Sequence, residues 1–140
     1  MMAQVYRLKP DASVTDLGTV GYNPVGTVYD HSAEFDNSTG LWQGAYFYWD
    51  VSAPVASGDW ANVFMRISVD GTNFNDDINT QRQTFQIASL KRSAAAVAQK
   101  HTFHVPKLPP CKFTIVISSG AYATTGTLYI LPYTTEIASA

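Results

Sequence analysis

Residues 45–53, AYFYWDVSA, alternate apolar and amphipathic side chains with a period of two. A strand turns successive side chains to opposite faces, so Phe47, Trp49 and Val51 fall on one side and Tyr46, Tyr48 and Asp50 on the other. That is the mark of a sheet with one buried face. WANVFMRISVD, residues 60–70, repeats the pattern, with Val63, Met65, Ile67 and Val69 inward and Phe64, Arg66 and Ser68 outward, and closes on the turn signal Asp70-Gly71. Phe113, Ile115 and Ile117 alternate with Thr114, Val116 and Ser118. GTLYILPYT, residues 126–134, is apolar on both faces, and Pro132 predicts that its end lies at a sheet edge.

TFQIASL (84–90) and HTFHV (101–105) supply further strands, and short pieces at Leu17–Val20 and Val25–Tyr29 read as edge or irregular strands. KRSAAAVAQK (91–100) is too short and uncapped for a stable helix, and reads as strand ends plus a turn. The polar stretch TNFNDDINTQRQ (72–83) reads as a surface loop, and Ser118–Thr127 as a small-residue turn. Many short strands without helical periodicity predict one all-β, antiparallel domain over residues 17–140, a sandwich or a barrel. Residues 1–16, broken by Lys9-Pro10 and Asp11-Ala12-Ser13, predict an extended N-terminal arm rather than a packed strand.

Charged residues make up only 14% of the chain, against about a quarter in an ordinary soluble domain, and the formal net charge is −2. No basic cluster exceeds Lys91-Arg92, so no nucleic-acid partner is expected. The N-terminal MMAQVYRLKPDASV has no apolar leader segment, and no run of residues approaches the ~20 needed to span a bilayer, so a soluble protein with no membrane partner is expected.

Catalytic and metal-binding patterns are weak throughout. The single Cys111 excludes an intrachain disulfide and reads as a small buried hydrophobe. His101 and His104, three apart on a strand, point to opposite faces, whereas two ligands for one ion need an even spacing. His31, beside Asp30 and near Glu34, reads as a solvated surface histidine. Asp70, Asn73, Asn75, Asp76 and Asp77 are calcium-type ligands, but Gly71 follows the first Asp directly and no Glu closes the loop, so a plain hairpin turn is expected. Asn37-Ser38-Thr39 is a glycosylation sequon that reads as a turn. No catalytic residue, metal or cofactor is expected, and the protein reads as a non-enzyme.

The aromatic content, 3 Trp, 8 Tyr and 7 Phe, is the feature that points to function. Amphipathic rings serve subunit interfaces and sugar platforms alike. Tyr6, Trp42, Tyr46, Tyr48, Trp60, Tyr129 and Tyr133 are the candidate interface residues. For a sugar platform the candidates are Trp42, Tyr48, Trp49 and Trp60.

The phrases AEFDNSTGLWQGAYFYWDV, ISVDGTNFNDD, AQKHTFHVPKLPPCKF and GTLYILPYTTE, in that order, resemble a group of small structural proteins encoded in the virion-morphogenesis regions of tailed bacteriophages. The resemblance spans about residues 30–136 and lies in scaffold and turns, so it carries over no individual binding residue. It implies a β-sandwich, often of jelly-roll type, acting as a capsid decoration (cement) protein or as a tail or fibre component. The expected partners are the major capsid protein and neighbouring copies in a homotrimer, with the arm reaching across a subunit boundary and ordered only on the capsid. The expected location is the capsid surface of the virion, after synthesis in the bacterial cytoplasm. A carbohydrate-binding module recognising host-surface glycan is the alternative from a different class.

Overall fold

The structure, a computed structural model, describes residues 4–23, 28–51, 60–74, 85–91, 99–118 and 124–139. Strands among them are β1 (Gln4–Pro10), β2 (Thr15–Asn23), β3 (Val28–Asp30), β4 (Phe35–Asp36), β5 (Gly44–Val51), β6 (Trp60–Ser68), β7 (Gln86–Lys91), β8 (Gln99–Val105), β9 (Lys112–Ser118) and β10 (Thr124–Ser139). No described residue is helical. The expectations for residues 24–27, for the alanine run at 92–98 and for Asn75, Asp76 and Asp77 lie outside the described residues. The small-residue turn expected over Ser118–Thr127 is corrected at both ends, since Ser118 belongs to β9 and residues 124–127 are strand paired with β2 and β5, while 119–123 lie outside the described residues.

The strands form two antiparallel sheets, one ordered β3-β2-β10-β5-β8 with β1 also on β10, the other ordered β4-β9-β6-β7. Taking β2 and then β4 to β10 as eight strands in sequence, the sheets read 1-8-3-6 and 2-7-4-5. That order results when a long antiparallel ribbon, pairing first strand with last and so inward, wraps into two layers, which makes the fold a jelly-roll β-sandwich.

The inward faces are those the alternation predicts. Phe47, Trp49 and Val51 meet Val63 and Met65 and the fully buried Phe113, Ile115 and Ile117, with Leu128 and Ile130 completing the layer. Trp49 spans two neighbours: its indole Nε1–H donates to the Val20 carbonyl at 3.1 Å. Cys111 is buried as expected, and burial pushes its thiol up.

Several expectations are corrected. Val69 is exposed because β6 ends at Ser68. Phe64, Thr114 and Val116, on the outward sides of their strands, are nonetheless buried. The segment at His31–Ser32 flanks β9 there, bridging to Val116 and exchanging hydrogen bonds with Ile115. His31 itself is exposed.

Pro132 does not end a strand at an edge; it lies inside β10, opposite Ala45 of β5. Its carbonyl accepts from Asp11 N–H, so its missing N–H faces the same side, towards the 11–14 connection. The ladder to β2 has ended at Ile130↔Thr15 and that to β1 begins at Tyr133↔Pro10, so the proline interrupts no strand pairing. The expected free arm is corrected likewise. Residues 4–10 are extended and exposed, but they pair residue for residue with β10 from Tyr133 to Ser139. Pairing of β5 stops at Gly44↔Tyr133, so β1 and the last part of β10 continue as a two-stranded ribbon past the sheet.

Asp70-Gly71 is a turn, with Gly71 at φ 81°, yet it opens a long connection from β6 to β7 rather than a tight hairpin. The Asp70 carboxylate accepts from the backbone N–H groups of Asn73 and Thr72 and from the Asn73 side chain. Those bonds, Asn73 N–H first, hold its carboxyl well below the usual carboxylate range. A lowered folded value stabilises the fold above the unfolded value near pH 4 and is lost as pH falls through the folded one. Asp70→Asn should therefore flatten the acid limb of the stability–pH curve below about pH 4, and an unchanged limb in acid titrations followed by circular dichroism would refute this.

Candidate aromatic assembly face

The outward face of the jelly-roll sheet carries the rings that alternation sends away from the core. Register sets them in rows across β10, β5 and β8: Leu131–Tyr46–His104, then Tyr129–Tyr48–Thr102, then Thr127–Asp50–Lys100. Directly opposed residues in antiparallel strands lie about 5 Å apart, so each row is a line of touching side chains. The Tyr46 ring stacks on His104 with centroids 4.5 Å apart, and Tyr48 and Tyr129 lie 5.7 Å apart and tilted. Between the rows the sheet curls into a groove of about 550 Å³, walled by Val14, Tyr46, Tyr48, Tyr129 and Leu131, with Thr102 as its polar wall residue.

One end of the groove is locked. The Tyr133 hydroxyl and His104 Nε2 are 2.6 Å apart, hydrogen bonded in either imidazole tautomer. Tyr133 reaches His104 by crossing Gly44, where an added Cβ would overlap its hydroxyl and sit 2.8 Å from the Val105 carbonyl oxygen. Burial, then the Tyr46 phenol, push the Tyr133 phenol up, so the neutral form is favoured and its contribution fades only above the usual tyrosine range. The opposite end is charged: Lys100 Nζ lies 5.9 Å over the Tyr48 ring, and the Tyr48 hydroxyl, ahead of Asp50, raises the lysine value.

The candidate residues separate into distinct places. Tyr46, Tyr48 and Tyr129 come together in the groove, Tyr46 being 42% exposed. Tyr133 adjoins them but is only 3% exposed, so it supports the face rather than offering contact, a correction to its standing as an interface residue. Tyr6 stands out on β1 at 70% exposure. Trp42 is half-buried against the core on another side, beside Leu41, Lys9 and Pro10. The side chain of Trp60 lies outside the described residues. Trp49 is fully buried and cannot serve a sugar platform, and Trp42 and Tyr48 share no surface with each other.

Val14, Leu131 and His104 were not singled out for this face. The alternation places Leu131 and His104 outward, but only cross-strand register brings them beside Tyr46. His101 and His104 do fall on opposite faces, the first beside Trp49 in the core and the second beside Tyr46 outside. Among the described residues no three His, Cys, Asp or Glu side chains lie together as a metal site would need.

The sequon at Asn37 is closed to modification in the folded chain. Asn37 is fully buried, its Nδ2 donating to the carbonyls of Trp42 and Pro109 at 3.0 Å and its Oδ1 accepting from Trp42 N–H. It forms the turn expected there, closed by Gly40 N–H on the Asn37 carbonyl.

The groove thus offers rings, aliphatic walls and few hydrogen-bonding groups, a chemistry suited to apolar protein surface. Compared with known proteins, the chain matches no family model, and no curated protein matches it significantly.

Proposed function

We propose that this protein is a structural virion component of a tailed bacteriophage, a capsid decoration protein that binds the outer head surface and reinforces the shell. The phage setting rests on the resemblance of residues 30–136 to virion-morphogenesis proteins. The observation that carries an assembly role is the aromatic groove on the outward sheet face, where register gathers Tyr46, Tyr48 and Tyr129, amphipathic rings of the kind that serve subunit contacts. Weak, low-charge contacts repeated over a closed shell hold through number rather than through one tight site. The partners in this reading are the major capsid protein and further copies of the chain, with no cofactor and no catalysis.

A count of copies per virion tests it. Decoration predicts on the order of hundreds of copies on the head, and purified protein rebinding stripped heads to saturation. A few to dozens of copies confined to the tail would favour a tail or fibre component instead. Binding on a glycan array, lost in Tyr48→Ala, would favour the carbohydrate module.

A further inference from the structure

We infer that two copies of this chain pair about a two-fold axis, the β1–β10 ribbon of each lying in the aromatic groove of the other. The inference rests on reading that face as an assembly surface, and names the partner it takes.

The ribbon supplies the complementary shape. From Tyr133, which points outward over Gly44, the antiparallel register Tyr133↔Pro10, Thr135↔Leu8 and Ile137↔Tyr6 keeps these residues on one side of the ladder without a bulge. Tyr6, Leu8 and Ile137 are 70%, 46% and 58% exposed, an apolar row on a strand pair with no sheet beneath it. The ribbon's charges go to its other side, where Glu136 pairs with Arg7 and lies 3.9 Å from Lys9 Nζ. The apolar side is thereby left free of charge.

Symmetry follows from where the two surfaces point. Ribbon row and groove lie on the same side of the same sheet, so a donor and an acceptor surface face one direction. Bringing one onto the other in a second copy requires a rotation that reverses that direction, which is a half-turn. A half-turn excludes a three-membered ring, and with no shift along its axis the contact is reciprocal and the pair closes at two copies rather than growing into a filament.

The area suffices. The exposed fractions of Tyr6, Leu8, Ile137, Val14 and Tyr46 amount to roughly 500 Å² of side chain per copy, or about 1,000 Å² for the pair, the lower limit of specific interfaces. A reversible dimer is expected at that size.

Sedimentation equilibrium of the purified full chain, without heads present, tests this. A concentration-dependent shift from one to two chain masses is expected. Tyr6→Asp on the ribbon, and Val14→Asp at the groove, should each weaken pairing about tenfold or more while leaving the unfolding transition in place, because these side chains are 70% and 59% exposed. Mixing the two variants restores one intact ribbon–groove contact, so the mixture should pair more strongly than either alone. A monomer at all concentrations, a trimer, or a mixture no stronger than its components would overturn the inference. Wild-type protein that decorates heads yet stays monomeric would refute the pairing alone, whereas a dimer that leaves heads bare would refute only the decoration reading.

Discussion

Trp49→Ala should lower the free energy of unfolding by about 3–5 kcal/mol, the range for emptying a fully buried aromatic site. Trp49 has no exposed surface, lies between Leu128 and His101 in the sheet, and packs in the shared core. Its loss would leave a cavity that strands on both sides cannot close, and would strip the Val20 carbonyl of the indole N–H it accepts at 3.1 Å. Against a typical total of about 5–15 kcal/mol, such a loss brings the fold near its threshold. Trp49→Phe separates the two contributions, since it keeps most of the packing and removes the hydrogen bond. Denaturant unfolding is the measurement; a loss below about 1 kcal/mol for the alanine variant would mean that the site collapses or that the tryptophan is not central to the core.

The second large effect is one of reversed sign. In an open strand Gly→Ala raises stability by about 0.4–1 kcal/mol, because the unfolded chain loses freedom. At Gly126 the same change should cost about 3 kcal/mol through overpacking. Gly126 lies opposite Val51, and an added Cβ would overlap the Asp50 carbonyl oxygen, 2.9 Å from its carbon and 3.0 Å from Trp49 Nε1. Two of those atoms are backbone of the adjacent strand, so relief requires β5 and β10 to part. The exposed neighbour Thr125→Ala, a position without that crowding, should change stability by no more than about 0.5 kcal/mol. Equal effects at the two positions in thermal or denaturant unfolding would show that the close approach is absent.

These two sites join what alternation reveals to what it conceals. Trp49 declares itself inward from its neighbours Tyr48 and Asp50, because strand side chains alternate by geometry alone. That Gly126 must remain a glycine is invisible there, since the atoms it would strike belong to residues brought to it by pairing. The same division runs through the candidate face. Tyr46 and Tyr48 were legible as outward residues of one strand, but alternation gives a side and not a cover, so Tyr133, Phe64 and Val116 were placed outward and proved buried. His104, which alternation places only on the face opposite His101, becomes through register the partner of Tyr46 and Tyr133.

Pro132 shows how a sound local rule can mislead. A proline removes one donor from a strand, which is harmful only where a neighbour would have accepted from it. Here that side of β10 faces the change of partner between β2 and β1, a gap that only the assembled sheet creates. The polar composition of residues 4–10 argued against a packed strand, and they are indeed exposed throughout. What holds them extended is backbone pairing to β10, which depends little on side-chain type.

The all-β class, the inward faces of β5, β6 and β9, and the turns at Asn37 and Asp70 can be read along the chain, because each depends on dihedral preference and a two-residue period within one short segment. Long-range pairing decided that β10 lies between β5 on one side and β1 and β2 on the other, that Tyr48 meets Tyr129, and that a groove and an apolar ribbon share one face. Those are long-range pairings, selected by which layers bury the core together, and no local period encodes them.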